Sequence, residues 1–252
     1  MFARKLKIKR TVCFSRGFTL YELLISFAVI SIIAGIVLYN HKRFETDIEV
    51  TNLAYRMAIE IRQAQVYGIS VRQHAGAGLL GFDVSYGVHF ETDVNDSFIL
   101  FADGDGNGLY NPAVFEGSVD CPTDSGSECV EKFSIGRNNK IIGWCGVLWS
   151  NTTDVSQQCF VPGSGTDYRF FDIKFKRPNP DAIFSWYKGS YEEGSTSSLL
   201  NRVCSDGGVD KACNGYAVCL ESPQGKRKRV VVYETGQISV ENVDPDTTCS
   251  TI

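Results

Sequence analysis

Residues 15–31, SRGFTLYELLISFAVIS, begin an apolar run that could serve as a membrane span, except that an acid, Glu22, stands in its first turn. From Phe18 to Leu38 there are 21 residues, and Glu22 is the only charged one. At about 1.5 Å of rise per helical residue, such a run crosses a hydrocarbon core of roughly 30 Å. A removable secretory signal has a shorter apolar region followed by a small-residue cleavage site, whereas the continuation past Leu38 is polar and helix-like. An uncleaved signal anchor is the plain alternative, and Glu22 argues against it. A carboxylate inside a bilayer costs about a few kcal/mol on insertion scales, so it needs a partner.

The charge distribution gives the run an orientation. Six cations (Arg4, Lys5, Lys7, Lys9, Arg10 and Arg16) and no acid fall in the first 17 residues of a 252-residue chain with net charge -4, which leaves -10 for the remainder. That balance argues against nucleic acid as the main partner and makes the basic start a topogenic signal. The positive-inside rule keeps residues 1–17 in the cytoplasm and exports the C-terminal part. Lys42 and Arg43 weaken this asymmetry without cancelling it. With 43% hydrophobic residues the chain has enough apolar content for one sizeable domain or two small ones.

Cleavage after Gly17 would supply the partner for Glu22. It would leave a free α-amino group on Phe18, four residues upstream and one helical turn away on the same face. A neighbouring subunit's amino terminus is the other candidate. Behind its basic leader, Gly17-Phe18-Thr19-Leu20-Tyr21-Glu22-Leu23-Leu24-Ile25 resembles the leader and cleavage site of type IV prepilins and type II secretion pseudopilins. The resemblance implies that prepilin peptidase cuts between Gly17 and Phe18, that Phe18 is N-methylated, and that Glu22 sets register during assembly. It further implies other pilin subunits, an inner-membrane assembly platform and, before assembly, the lipid bilayer as partners. The implied location is the bacterial inner membrane, single-pass with a cytoplasmic N-terminus, and then a pilus or pseudopilus. No proline precedes Pro112, so an unkinked helix is expected.

Beyond the span, Ile48, Leu53, Met57, Ile61 and Ala64 recur at helical spacing among charged residues, and this stripe should face a sheet. IRQAQVYGISVRQ (61–73) resembles the helix end of FimT/GspH-type minor pilins and pseudopilins, with Gly68 and then Gly76 and Gly78 weakening or stopping it. After residue 82 the texture becomes β: runs at 84–91, 96–102, 140–149, 168–176, 182–187, 215–220, 229–233 and 236–240 are rich in β-branched and aromatic residues. The expected fold is α+β, a long N-terminal helix packed on a mostly antiparallel sheet stapled by disulfides. The expected divisions are a cleaved leader (1–17), a transmembrane and assembly helix (18–39), its amphipathic continuation (40–74) and an exported β-rich head (75–252). RVVVYETGQISV resembles the terminal hairpin of the FimT/GspH fold, with its turn at Thr235-Gly236.

Cysteine usage supports export. Cys13 would leave with the leader, and the eight that remain allow 105 connectivities. Short loops favour Cys121–Cys129, Cys145–Cys159 and Cys204–Cys213, leaving Cys219–Cys249. Zinc is the rival reading, but there is no CxxC pair and His41, His74 and His89 are scattered.

Two further features carry chemistry. In FADGDGNGLYN (101–111), Asp103, Asp105 and Asn107 alternate with glycines and Asn111 follows, so calcium ligation and a tight Asx/Gly turn are both open readings. The calcium-loop pattern fails in its second half, where Val114 stands at the place of the bidentate Glu. GKRKR (225–229) offers a DNA contact or, more simply, a solvated hairpin edge. The chain has no GxSxG elbow, P-loop or HExxH, so it reads as a substrate of processing enzymes rather than as an enzyme, with no required cofactor. Two functional classes follow: an assembly subunit, with minor pilin preferred on the FimT/GspH resemblance, and a membrane-anchored exported binding protein, adhesin-like or DNA-contacting, that uses the prepilin pathway.

Overall fold

The computed structural model describes residues 17–70, 84–91, 93–111, 121, 127–147, 155–156, 159–160, 168–188, 203–206 and 209–243. Side chains at 40–46, 155–156, 159–160, 168–169, 187–188, 203–206 and 209–212 lie outside this description, as do expected features at Gly76, Gly78, Val114 and Cys249. The chain separates into two units, Met1–Phe44 and Glu45–Ile252.

Helix α1, Leu20–Ile69, runs through both. Thr19 is its N-cap: the Glu22 N–H donates to Thr19 Oγ1 at 3.2 Å and the Leu23 N–H to the Thr19 carbonyl at 3.2 Å. With Glu22 at the third helical position, Thr19-Leu20-Tyr21-Glu22 has the T-x-x-E spacing of a capping box. In the first unit the helix is apolar on every side, and Leu20–Tyr39 is long and apolar enough to cross a membrane. Its two serine hydroxyls are satisfied within the helix, Ser26 Oγ donating to the Glu22 carbonyl (2.7 Å) and Ser31 Oγ to that of Phe27 (2.8 Å). Such internal bonding removes the need for water around these side chains.

In the second unit α1 buries Val50, Ala54, Met57, Ile61 and Ala64. Ile48, expected on this stripe, is instead exposed; nine residues before Met57, at about 100° per residue, it falls on the opposite side of the helix. The helix also passes through Gly68 to Ile69. It ends there, one residue past Gly68, and a Cβ on Gly68 would lie 2.2 Å from the Phe175 carbonyl oxygen, so this glycine also permits a close approach to a strand.

Among the described residues thirteen strands follow in chain order. They are β1 (Ser85–Glu91), β2 (Val94–Asp103), β3 (Cys129–Ser134), β4 (Lys140–Val147), β5 (Val155–Ser156), β6 (Cys159–Phe160) and β7 (Tyr168–Phe175). The remainder are β8 (Ala182–Lys188), β9 (Val203–Asp206), β10 (Val209–Ala212), β11 (Gly215–Glu221), β12 (Arg227–Tyr233) and β13 (Ile238–Val243). They form two five-stranded sheets, β3-β2-β1-β7-β8 and β13-β12-β11-β4-β6, and a three-stranded one, β10-β9-β5. Every described strand pair is antiparallel. The sequence runs anticipated the long strands but not β3, whose Glu131 and Lys132 interrupt any apolar alternation.

One core joins the buried face of α1 to both large sheets. Alternation supplies Val88 and Phe90 from β1, Phe98 and Leu100 from β2, Phe171, Ile173 and Phe175 from β7, and Tyr216, Val218 and Leu220 from β11. Phe171 sits at its centre, with ring centroids 5.5 Å from Trp144, 5.7 Å from Trp186 and 5.7 Å from Tyr216. These tryptophans are therefore packed core, not a ligand-binding surface. Gln65 ties the helix to two turns, its Nε2 donating to the carbonyls of Pro180 (2.8 Å) and Gly236 (3.0 Å). Gly236, at φ 78°, makes the last hairpin turn, as its sequence indicates.

Candidate functional site

The N-terminal segment presents Gly17 and Phe18 exposed and outside the helix. Because the Thr19 hydroxyl captures an amide of the first turn, Phe18 precedes the cap instead of occupying it. Glu22 is thus not one helical turn above Phe18, as continuous helix through residue 18 would make it. Gly17 and Phe18 precede the helix, and among the described residues nothing lies within 4 Å of a Cβ placed on Gly17. Proteases cut exposed chain outside regular structure, and Gly17 and Phe18 meet that local condition.

A second cluster forms on the face of the β3-β2-β1-β7-β8 sheet that points away from α1. The same alternation that sends Val88 and Phe90 into the core sends Ser85 and His89 outward, beside Asp103 of β2 and Asp172 and Lys174 of β7. All five are buried, because the chain after β2 folds back over this face. His89 Nδ1 pairs with Asp172 Oδ1 at 2.6 Å, and Asp172 Oδ2 accepts the Tyr110 N–H at 3.2 Å. The Tyr110 ring lies against His89, centroids 4.6 Å apart. Gly87 leaves room on this face: a Cβ there would come within 2.8 Å of both Phe101 and Lys174.

The loop 103–111 is built around carboxylates. Asp105 Oδ1 accepts the Asn107 N–H (2.9 Å), and its Oδ2 accepts the side-chain amides of Asn107 (2.8 Å) and Asn111 (2.7 Å). Asn107 Oδ1 accepts the Leu109 N–H at 2.7 Å, an Asx turn. Asp103 Oδ2 accepts from Ser85 Oγ (2.9 Å) and the Gly108 N–H (3.1 Å). These are the hydrogen bonds of a tight Asx/Gly turn, and they leave the calcium reading open. Glu128 was missed by sequence reasoning: its Oε1 accepts the Gly104 N–H (2.9 Å) and its Oε2 the Asn111 N–H (2.7 Å). It arrives from 17 residues beyond Asn111, held by the bond from the Ala102 N–H to its own carbonyl (2.8 Å) and by the neighbouring Cys121–Cys129 disulfide. No local motif marks such a contact.

Electrostatics follow the burial. Glu128 is pushed up to about 7 by burial, with the nearby Asp105 and Asp103 charges adding to the rise and loop amides opposing it. Burial likewise raises Asp103 and lowers Lys174. The Lys174 ammonium donates to the Gly108 carbonyl.

The basic run at 225–229 is strand β12 and its turn. Arg227 Nε donates to Glu221 (2.7 Å), and Arg229 donates twice to Glu241 Oε2 (2.8 and 2.6 Å) and is buried. Its charge is largely spent on neighbouring strands, which favours the hairpin-edge reading over a DNA contact. Of the cysteines, Cys121 and Cys129 are bonded to each other, and Cys145, Cys213 and Cys219 are also in disulfides.

The geometry defines an α+β protein whose N-terminal apolar helix is capped just after an exposed glycine. Residues 14–38 match the family model described as the prokaryotic N-terminal methylation motif, which indicates the type IV pilin and pseudopilin family and marks a substrate of prepilin peptidase. The match covers the junction and the apolar helix and none of the strands. Comparisons with curated proteins and with solved structures gave no match.

Proposed function

We propose that this chain is a minor subunit of a type IV pilus or a type II secretion pseudopilus, cut after Gly17, N-methylated on Phe18 and assembled through its apolar helix. The observation that carries the reading is the methylation motif over residues 14–38. The capped helix start supports it, because Thr19 leaves the Gly17–Phe18 bond exposed while placing Glu22 in the first turn. Before assembly the helix lies in the inner membrane with the basic leader in the cytoplasm and the disulfide-bonded head exported. Once the leader is gone, the new amino group of an adjacent subunit, or that of Phe18 itself if the first turn extends back to it after cleavage, neutralises Glu22. Minor-subunit status rests on the FimT/GspH-like helix end and terminal hairpin.

The reading is tested by mass spectrometry of the N-terminal peptide from cells with and without prepilin peptidase. The expected species begins at Phe18, carries one added methyl group and disappears without the peptidase. A chain that retains residues 1–17 in cells containing an active peptidase would overturn it.

A further inference from the structure

We propose that a calcium ion binds on the outer sheet face among Asp103, Asp105 and Glu128, with the buried Asp103 Oδ1 as its innermost ligand. This site is independent of the processing motif and goes beyond the assembly reading.

The first observation is geometric. One oxygen from each of the three carboxylates lies within 4.8 Å of the others. Calcium–oxygen distances are about 2.4 Å, so two ligands on opposite sides of one ion stand about 4.8 Å apart, and the three can share it. The second observation is an orphan. Asp103 is 5% exposed, its Oδ2 is engaged by Ser85 and Gly108, and its Oδ1 is a buried oxygen with no hydrogen-bond partner among the described residues. Native interiors satisfy almost all such atoms, and an unpaired one asks for a cation or a donor. The Lys174 charge acts on Asp103, but its ammonium donates to the Gly108 carbonyl and makes no hydrogen bond to Asp103 Oδ1.

The chemistry selects the ion. The group contains only carboxylates, hard oxygen ligands without His or Cys, which disfavours zinc. Asp105 is exposed and leaves the outer side open to water, matching the six to eight loosely arranged ligands of calcium better than the strict octahedron of magnesium. Glu128 supplies from a distant segment the carboxylate that the loop lacks at Val114, and the Cys121–Cys129 disulfide fixes the segment that carries it. Asn107 and Asn111 are assigned a different part from the ligand role the loop pattern gave them. Their amide groups donate to Asp105 Oδ2, holding the carboxylate that an ion would meet.

The test uses the full chain in detergent micelles, with equilibrium dialysis of calcium and melting curves in calcium, in magnesium and in chelator. Expected are one calcium per chain, a melting temperature raised by calcium and not by equal magnesium, and affinity lower by about tenfold or more in Asp105→Asn. Asp105→Asn keeps one of the two oxygens that accept the loop amides and its side chain is exposed, so its melting temperature in chelator, set beside that of the wild type, separates ligand loss from misfolding. Glu128→Gln should abolish uptake. No uptake by the wild type, equal effects of calcium and magnesium, or wild-type affinity in a folded Asp105→Asn would each refute the site. Correct processing at Phe18 is expected in every variant, so failure here leaves the assembly reading separately testable.

Discussion

Gly68→Ala separates two opposed contributions of one residue. In an ordinary helix interior the change stabilises by about 1 kcal/mol, since alanine loses less backbone freedom on folding. At position 68 the added Cβ would stand 2.2 Å from the Phe175 oxygen and 2.8 Å from its carbonyl carbon, where ordinary contact begins at 3.4 Å. The shortfall of 1.2 Å is against backbone, so no rotamer change relieves it, and α1 must part from β7. That movement stretches the bond from the Arg177 N–H to the Gly68 carbonyl, now 3.1 Å, and loosens Ile61 and Ala64 in the core they share with Phe175. Overpacking and one weakened hydrogen bond together cost about 2–4 kcal/mol, so after the propensity gain the variant should be destabilised by about 1–3 kcal/mol. Urea unfolding of the full chain in micelles, followed by tryptophan fluorescence, should show a lower midpoint with an unchanged slope. Gly35→Ala, in the same helix but with nothing within 4 Å, carries the propensity gain without the clash and should leave the midpoint at or above that of the wild type. A midpoint for Gly68→Ala at or above that of the wild type would falsify the close-approach argument.

Three other outcomes are expected. Phe171→Ala, removing the ring that touches Trp144, Trp186 and Tyr216, should cost about 3–5 kcal/mol in the same urea assay, and a loss under about 1 kcal/mol would mean that the two large sheets do not share a core. Non-reducing peptide mapping should join Cys145 to Cys159, its register partner across β4 and β6, together with Cys204–Cys213 and Cys219–Cys249; a Cys145–Cys219 peptide, linking two residues of one buried cluster, would contradict that pairing. Glu22→Ala should keep the chain in the membrane yet remove it from sheared filaments, whereas retention of all function in the membrane fraction would favour a head that binds on its own.

The division between what could and could not be read from the chain follows the range of the interactions. The apolar run, the T-x-x-E spacing and the period-two strands are local patterns, and α1, the long strands and the Thr235-Gly236 turn follow from them. Ile48 was misplaced because a stripe of apolar residues fixes a helix face only after its phase is known, and Val50 and Ala54 set that phase from the sheet side. The buried polar face was half visible: Asp172 and Lys174 alternate with Phe171, Ile173 and Phe175, which marks them as a single face of β7. What alternation does not disclose is that the chain after β2 covers that face, turning charges that would be solvated into a network of His89, Asp103, Glu128, Asp172 and Lys174.

The same distinction bears on Glu22. Its spacing from Gly17 marks a processing signal, and its spacing from Thr19 marks a capping box, and one residue satisfies both because the two motifs overlap by four positions. The cap fixes where the helix begins, and so keeps Gly17 and Phe18 outside it. Thr19 therefore has a part in the junction that its neutral side chain conceals. If the cap sets the register of exposure, Thr19→Ser should be processed at the wild-type rate and Thr19→Val more slowly, since valine keeps the shape but loses the accepting oxygen at a cost of about 1 kcal/mol of helix-start stability. Pulse-chase processing by prepilin peptidase in membranes reads the difference, and equal rates for serine and valine would show that the helix start is irrelevant to cleavage.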